Sequence, residues 1–276
     1  MRRERPALAA GLALIGLIAA GALVAPWVAP EPNRIDLDAV LAPPSSHHWL
    51  GTDGLGRDVG SRVLHGARVS LVVGLAAALL SVLIGLPVGA CAGYFGGLVD
   101  AAVSRAIAAA MCFPGIVVAI AILSVGPRWL VDLPEAARMA CALSVIGWTP
   151  TARYLRAEFQ RLRSSDAVMG ARASGAGHFR IVMLHLLPRG LAPVLVTLSF
   201  GIGSAALAEA SLTFFGVGVA PPTPSWGELL YQALHHVGTA WWLALVPGCA
   251  LFLLVLGCNR LAEGVRDWLD PRGQRP

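Results

Sequence analysis

Residues 166–188, DAVMGARASGAGHFRIVMLHLLP, form a polar, arginine-bearing, glycine-punctuated stretch between long apolar runs. Ser164, Ser165 and Asp166 carry side-chain oxygens suited to the first free N–H groups of a short helix, predicted at 167–174. Gly175 and Gly177 end it, because glycine accepts the left-handed conformation that closes a helix, and a second helical stretch is predicted at 178–187. Pro188 then marks the entry to the next apolar run, where a missing N–H costs least. The expected product is a rigid helix–turn–helix knob at a membrane face, with the make-up of a handle rather than of a catalytic site.

The surrounding chain sets that stretch in a bilayer. Of 276 residues, 56% are hydrophobic and 13% charged, and the mean hydropathy is +0.68, too apolar for an ordinary soluble domain. The formal charge of +5 flanks apolar runs and forms no continuous basic face, which speaks against nucleic-acid binding. All 21 basic residues are arginine, so the lysine of a phosphate-binding loop or of a Schiff base is absent. Cys91, Cys112, Cys141, Cys249 and Cys258 lie inside apolar runs without C-x-x-C spacing and read as small buried hydrophobes. No resident metal or cofactor is expected.

Five runs are long enough to cross a hydrocarbon core that takes about 20 helical residues: 8–28, 69–92, 106–125, 190–208 and 237–258. A sixth, 139–152, has only 14 residues between Arg138 and Arg153, and it spans only if it begins near Pro134 with Arg138 snorkelling. Six spans with the N-terminus inside place 15 arginines in the cytoplasm and 6 outside; five spans in that orientation give 4 and 17, and five inverted give 17 and 4. Arg2, Arg3 and Arg5 precede the first run while only Arg34 closely follows it, which puts the N-terminus inside. A secretory signal peptide is the alternative for the opening run, although a 21-residue apolar core is long for one.

The residues also carry a resemblance. Ala171-Arg172-Ala173-Ser174-Gly175-Ala176, then Arg180-Ile181 and Leu187-Pro188, resemble the EAA loop of ABC importer permeases of the peptide and nickel class. The family's glutamate falls at Met169 and its first alanine at Gly170, which removes one polar contact and keeps the register. Three further blocks match in order: 49–71 (WLGTDGLGRD through ARVSL), 208–227 (AEASLTFFGVGV through PPTPSWG) and 266–272 (RDWLDPR). The match is to the C-type permease subunit. It implies an all-α type I importer transmembrane domain with six transmembrane helices and a cytoplasmic coupling helix. Asp166, Gly170, Ala171, Arg172, Ala173, Gly175, Ala176, His178, Arg180 and Pro188 become its ATPase-coupling residues. The implied partners are a second homologous permease, two cytoplasmic ABC ATPases and an extracytoplasmic substrate-binding protein, in a bacterial inner membrane with both termini cytoplasmic. On that reading the chain divides into a tip, first helix and external loop (1–68), a core (69–262) with the coupling loop at 153–189, and a cytoplasmic tail (263–276).

Other features have simpler readings. Gly85, Gly89 and Gly93 repeat every four residues and predict a bare helix face for close packing, with Pro87 expected to kink the same run. Glu209 is expected at an external rim, hydrogen-bonded to a loop, with a translocation-pathway role as the alternative. Asp53, Arg57 and Asp58 match no Ca²⁺ loop and predict a locally hydrogen-bonded turn. The pairs His47-His48 and His235-His236 suit nickel chemically, but adjacent histidines do not readily face one ion.

Three functions compete. The first is a non-catalytic permease for di- or oligopeptides, with nickel or another metal chelate as the alternative cargo, coupling partner ATPase closure to alternating access. An ion-driven secondary transporter would need ionisable groups near the bilayer midplane, of which the runs are almost free. A membrane-embedded hydrolase would need a nucleophile and base paired at helical spacing, and none is visible.

Overall fold

The computed structural model describes residues 6–29 and 31–269. Arg2, Arg3 and Arg5, which fixed the expected orientation, and Asp270, Pro271 and Arg272 of the C-terminal signature lie outside the described residues. The described residues are almost wholly helical, with no strand beyond one isolated bridge between Thr52 and Asp58.

Helix α1 runs over Pro6–Val28, α2 over Val59–Phe95, α3 over Gly97–Met111, α4 over Gly115–Val125, and the one-turn α5 over Arg128–Val131. Then come α6 (Glu135–Leu162), α7 (Asp166–Ala173), α8 (His178–Ile181), α9 (Leu187–Phe214), α10 (Trp226–Ala233) and α11 (Trp242–Leu269). A π-helical turn, Val182–Leu186, joins α8 to α9, so 178–214 is one helix of 37 residues.

The long helices pass repeatedly between two ends of one bundle. Gly11 and Gly257 sit where α1 crosses α11, and Gly264 lies against Leu8, so α1 begins where α11 finishes. Ala192 and Pro193, near the start of α9, share a cavity with Arg266 and Leu269 at the end of α11. The foot of α2 meets the last turns of α6 at the same end. At the opposite end, Glu135, the first residue of α6, accepts a hydrogen bond from Ala220 N–H beyond α9. Among the described residues, α1, α2, the bent pair α3–α4, α6, α9 and α11 therefore make six passes between these ends, and α1 starts at the end where α11 stops.

Four of these passes are helices both long and apolar enough to cross a membrane. The stretch 106–125, expected as one span, is instead two helices bent by 83°. Its cause is Pro114, whose ring and missing N–H bar helical continuation at 112–114. The 14-residue sixth run is the middle of a 28-residue helix, α6, whose charged residues lie toward its two ends.

Other boundaries also move. α2 starts at Val59 rather than 69 because Asp58 caps it, accepting from Ser61 N–H at 2.7 Å, and it stays helical through Pro87. α11 runs over Trp242–Leu269 rather than 237–258. α2 thus crosses the expected 68/69 division, and α11 the one at 262/263.

The axis of the bundle is the α2–α6 seam. A Cβ on Gly85 would stand 2.6 Å from Trp148 O, one on Gly89 2.5 Å from Ala152 O, and one on Gly93 2.6 Å from Arg156 O. The stripe thus lets two backbones touch, as its spacing predicts. Arg156 and Gln160 of α6 also grip Asp100 of α3.

Candidate functional site

α7 and α8 form the helix–turn–helix knob. The glycine that closes α7 does so by a complete Schellman motif: Gly175 has φ +77°, its N–H reaches Arg172 O at 2.9 Å, and Ala176 N–H reaches Ala171 O at 3.0 Å. Ala171 and Ala176, the pair that such a motif brings together, both pack against the apolar cluster below. Gly177 is extended and caps α8, with Ile181 N–H returning to its carbonyl at 3.1 Å.

The expected cap at the other end of α7 is not made by side chains. α7 begins at Asp166 with Ser165 as its cap residue, but no side chain of the cap bonds to the free N–H groups. Ser165 Oγ is buried without a partner, and Ser164 Oγ donates back to Arg161 O. The tight turn out of α6 is responsible: Ser165 N–H bonds to Leu162 O at 3.0 Å, which turns the serines toward α6. Asp166 remains favourable in the first turn through its charge.

Three apolar side chains seat the knob. Val168, Ile181 and Leu186 are buried with Tyr94 of α2 and Leu155, Phe159 and Leu162 of α6. Tyr94 ties the two arms to this seat: its hydroxyl lies 2.7 Å from His178 Nδ1, and the Arg172 guanidinium stands 5.6 Å over its ring. Sequence reading missed Tyr94; its signal was a tyrosine, apolar body and polar tip, at the end of a glycine-striped span.

Asp166, Gly170, Arg172, Ala173, Gly175, His178, Arg180 and Pro188 are exposed, while Ala171 and Ala176 face the seat. Met169 is 51% and Phe179 79% exposed, so the outer surface of the knob carries two large apolar side chains as well as arginines. The second arm does not stop at Leu187 as expected. It runs on into α9 through the π turn, where Leu187 N–H reaches back five residues to Val182 O. The extra residue widens the ladder where the ring of Pro188 would otherwise press on the carbonyl of Leu184.

The opposite end is fastened by a polar network. Asp53, fully buried, accepts from Leu55 N–H at 2.8 Å, Arg57 N–H at 3.0 Å and Arg57 Nε at 2.7 Å, the locally bonded turn expected there. That turn also reaches across the fold: Arg57 Nη2 donates to Gln232 Oε1 at 3.0 Å, and the buried Arg62 donates to Glu228 Oε2 at 2.7 Å. Burial pushes the Glu228 carboxyl above the ordinary carboxylate range, with Arg62 pulling the other way. Trp242 Nε1 donates to Thr52 O at 3.0 Å and Trp226 Nε1 to Val63 O at 3.0 Å, so α11 holds the loop before α2 and α10 holds the start of α2 itself.

Glu209 has the expected hydrogen bond to the loop after α9, from the Ser225 side chain, but it is not exposed at a rim. It is 0% exposed in the seam between α9 and α2, accepting also from Ser70 Oγ and Thr213 Oγ1 at 3.0 Å each, and it lines neither of the two cavities along α9. Of the histidine pairs, His48 Nδ1 lies 2.9 Å from Asp58 Oδ2.

The sequence profile of the binding-protein-dependent transport system inner membrane component family matches residues 85–275. The chain belongs to that family. It is 40% identical over 269 residues to the dipeptide transport system permease protein DppC of Escherichia coli K12, covering 95% of this chain and 88% of that one. A putative peptide transport system permease protein of Brucella suis biovar 1 is 39% identical over 267 residues, covering 95% and 86%. The di/tripeptide transport system permease protein DppC of Pseudomonas aeruginosa is 35% identical over 269 residues, covering 95% and 87%. Among solved structures, a chain of the MetNI methionine ABC transporter in its inward-facing conformations superposes with a TM-score of 0.57 at 16% identity, over 74% of this chain and 96% of that one. That likeness is one of fold. The family member described here is thus an ABC importer permease, a multi-pass inner-membrane component, in agreement with the resemblance read from its EAA-like block.

Proposed function

We propose that this permease carries di- and oligopeptides and that its α7–α8 knob is the cytoplasmic handle through which partner ATPases drive transport. The peptide reading is supported by relatives named for dipeptide, di/tripeptide and peptide transport at 35–40% identity over nearly the whole chain. The handle reading rests on one observation: Tyr94 and the α2–α6 seat lock the knob, while its second arm is continuous with α9.

A helix of 37 residues is about 55 Å long at 1.5 Å per residue, so a push on its exposed foot is delivered as tilt of the whole rod. α9 lines a cavity of about 660 Å³ with α2, α4 and α6, and that tilt moves one of its walls. α7 supplies the contact surface, with Met169 and Arg172 beside Phe179 and Arg180 of α8. ATP hydrolysis falls to two cytoplasmic ABC ATPases, since this chain has no lysine for a phosphate-binding loop. It pairs with a second homologous permease to complete the path, and an extracytoplasmic binding protein delivers cargo to the end built from 31–58 and α10. On this reading the chain has six membrane spans, with both termini and the knob in the cytoplasm, a topology supported by the run of long helices between the two ends of the bundle. Glu209, held by the hydroxyls of Ser70, Thr213 and Ser225 inside a seam, serves packing there rather than the path.

The test is reconstitution of the four-subunit complex with its binding protein in proteoliposomes. Uptake of dialanine is expected to require ATP and to persist when ion gradients are dissipated. Gradient-driven uptake by this chain alone would overturn the proposal.

A further inference from the structure

Two cavities lie end to end on α9. The larger, about 660 Å³, is bounded by α2, α4, α6 and α9, and has hydroxyls from Ser81, Thr151 and Ser204 with no charged residue in its lining. The smaller, about 530 Å³, opens between α6, α9 and α11 toward the knob end and includes Glu263 and Arg266. Tyr154, Thr197 and Phe200 belong to both.

The α9 residues of the two cavities recur at three- and four-residue intervals from Pro193 through Thr197, Phe200, Ser204 and Ala208 to Ser211, which is one helix face. At 1.5 Å per residue that face covers about 27 Å, close to the roughly 30 Å hydrocarbon thickness. Tyr154 and Phe200 are 60% and 43% exposed, so these rings are not covered by the rest of the chain. Their backbones have different mechanical status. α6 is fixed to α2 along the glycine stripe and carries part of the knob's seat, whereas α9 is continuous with the knob's second arm.

We propose that Tyr154 and Phe200 form an aromatic neck that divides the path into an uncharged outer chamber and a charged inner vestibule. The neck limits the size of the cargo. The hydroxyls above it accept and donate to peptide amides, the polar groups that every peptide shares, and the neck then selects by bulk rather than by side-chain chemistry. One jaw stands on α6 and the other on α9, so a change in the spacing of these two helices changes the gap. The inference rests on the peptide-import reading.

Its test uses the complete importer in proteoliposomes, with the five native cysteines replaced and single cysteines placed by Tyr154→Cys, Phe200→Cys and, as the off-face control, Leu195→Cys. A water-soluble maleimide is expected to label 154 and 200 far more than 195, and ATP–vanadate trapping is expected to change labelling at 154 and 200 but not at 195. Labelling at 154 and 200 no greater than at 195 in both states would mean that lipid or the second permease covers the face, and would overturn the neck. In the native background, Tyr154→Ala is expected to raise the tetra-alanine to dialanine uptake ratio several-fold and Tyr154→Trp to lower it. An unchanged ratio in both variants would overturn size selection. If the unaltered importer takes up neither peptide, the peptide reading fails, and the labelling pattern alone decides the neck.

Discussion

Gly175 offers the most graded test of the knob. Its φ of +77° is a left-handed backbone, and a Cβ built there meets nothing within 4 Å. Alanine therefore brings no clash, only the conformational cost of an L-residue in that region, about 1–2 kcal/mol. Such a cost shifts a local equilibrium by a factor of roughly 5–30. Asparagine tolerates the region better and should cost less. Proline is a different case: its φ is fixed near −65°, and it has no N–H to donate to Arg172 O, a bond of 2.9 Å in the native turn. Gly175→Pro thus removes the turn, while the seat beneath the first arm, Val168 on Phe159, is left intact. In the reconstituted importer, peptide taken up per ATP hydrolysed should fall in the order Gly, Asn, Ala, Pro. Membrane insertion, read by yield and gel-filtration profile, should stay normal throughout. If Gly175→Pro transports at the native rate, the knob is not the coupling element.

Three further outcomes are expected. Tyr94→Phe loses the hydroxyl that meets His178, worth about 0.5–1.5 kcal/mol, and should lower coupling mildly, whereas Tyr94→Ala should lower it severely; equal effects in the coupling assay would refute the two-arm tie. Gly89→Leu forces a side chain into the Ala152 backbone, and overpacking of this kind costs about 1–3 kcal/mol or more, so Tm in detergent should drop while Gly16→Leu, which meets nothing within 4 Å, leaves it unchanged. Glu228→Ala removes the 2.7 Å partner of the buried Arg62 and leaves it the 3.7 Å contact to Asp53, so the loss should fall at or below the lower end of the about 3–5 kcal/mol seen when one partner of a buried pair is removed, and joint replacement of Arg62 and Glu228 by Met and Leu should recover much of the Tm.

What could be read from the sequence follows from the range of each interaction. The knob was legible because its signals are local: a polar stretch, a glycine at the closing position, and a proline before the next span. The glycine stripe was legible because its four-residue period is itself the packing face. Helix limits were not, because an apolar run reports contact with hydrocarbon, whereas α2 continues ten residues further through Arg62 and His65, with Asp58 as its cap. The break at 112–114 was signalled by Pro114 and overlooked in an otherwise apolar run. The burial of Glu209 was not legible because its partner Ser70 is 139 residues away in sequence. The Arg62–Glu228 pair, 166 residues apart, and the shared neck of the two cavities are likewise visible only once the helices are assembled.

The most direct measurement concerns which partner touches the knob and from which side. Phe179 is 79% exposed on its surface, so Phe179→Cys can carry a short cross-linker without disturbing the seat. In inverted membrane vesicles holding the whole importer, cross-linking from this position to an ABC ATPase subunit is expected, with yield that changes on ATP binding. Labelling of the same cysteine only from the periplasmic face, with no ATPase adduct, would contradict the assignment of residues 166–188 as the cytoplasmic handle.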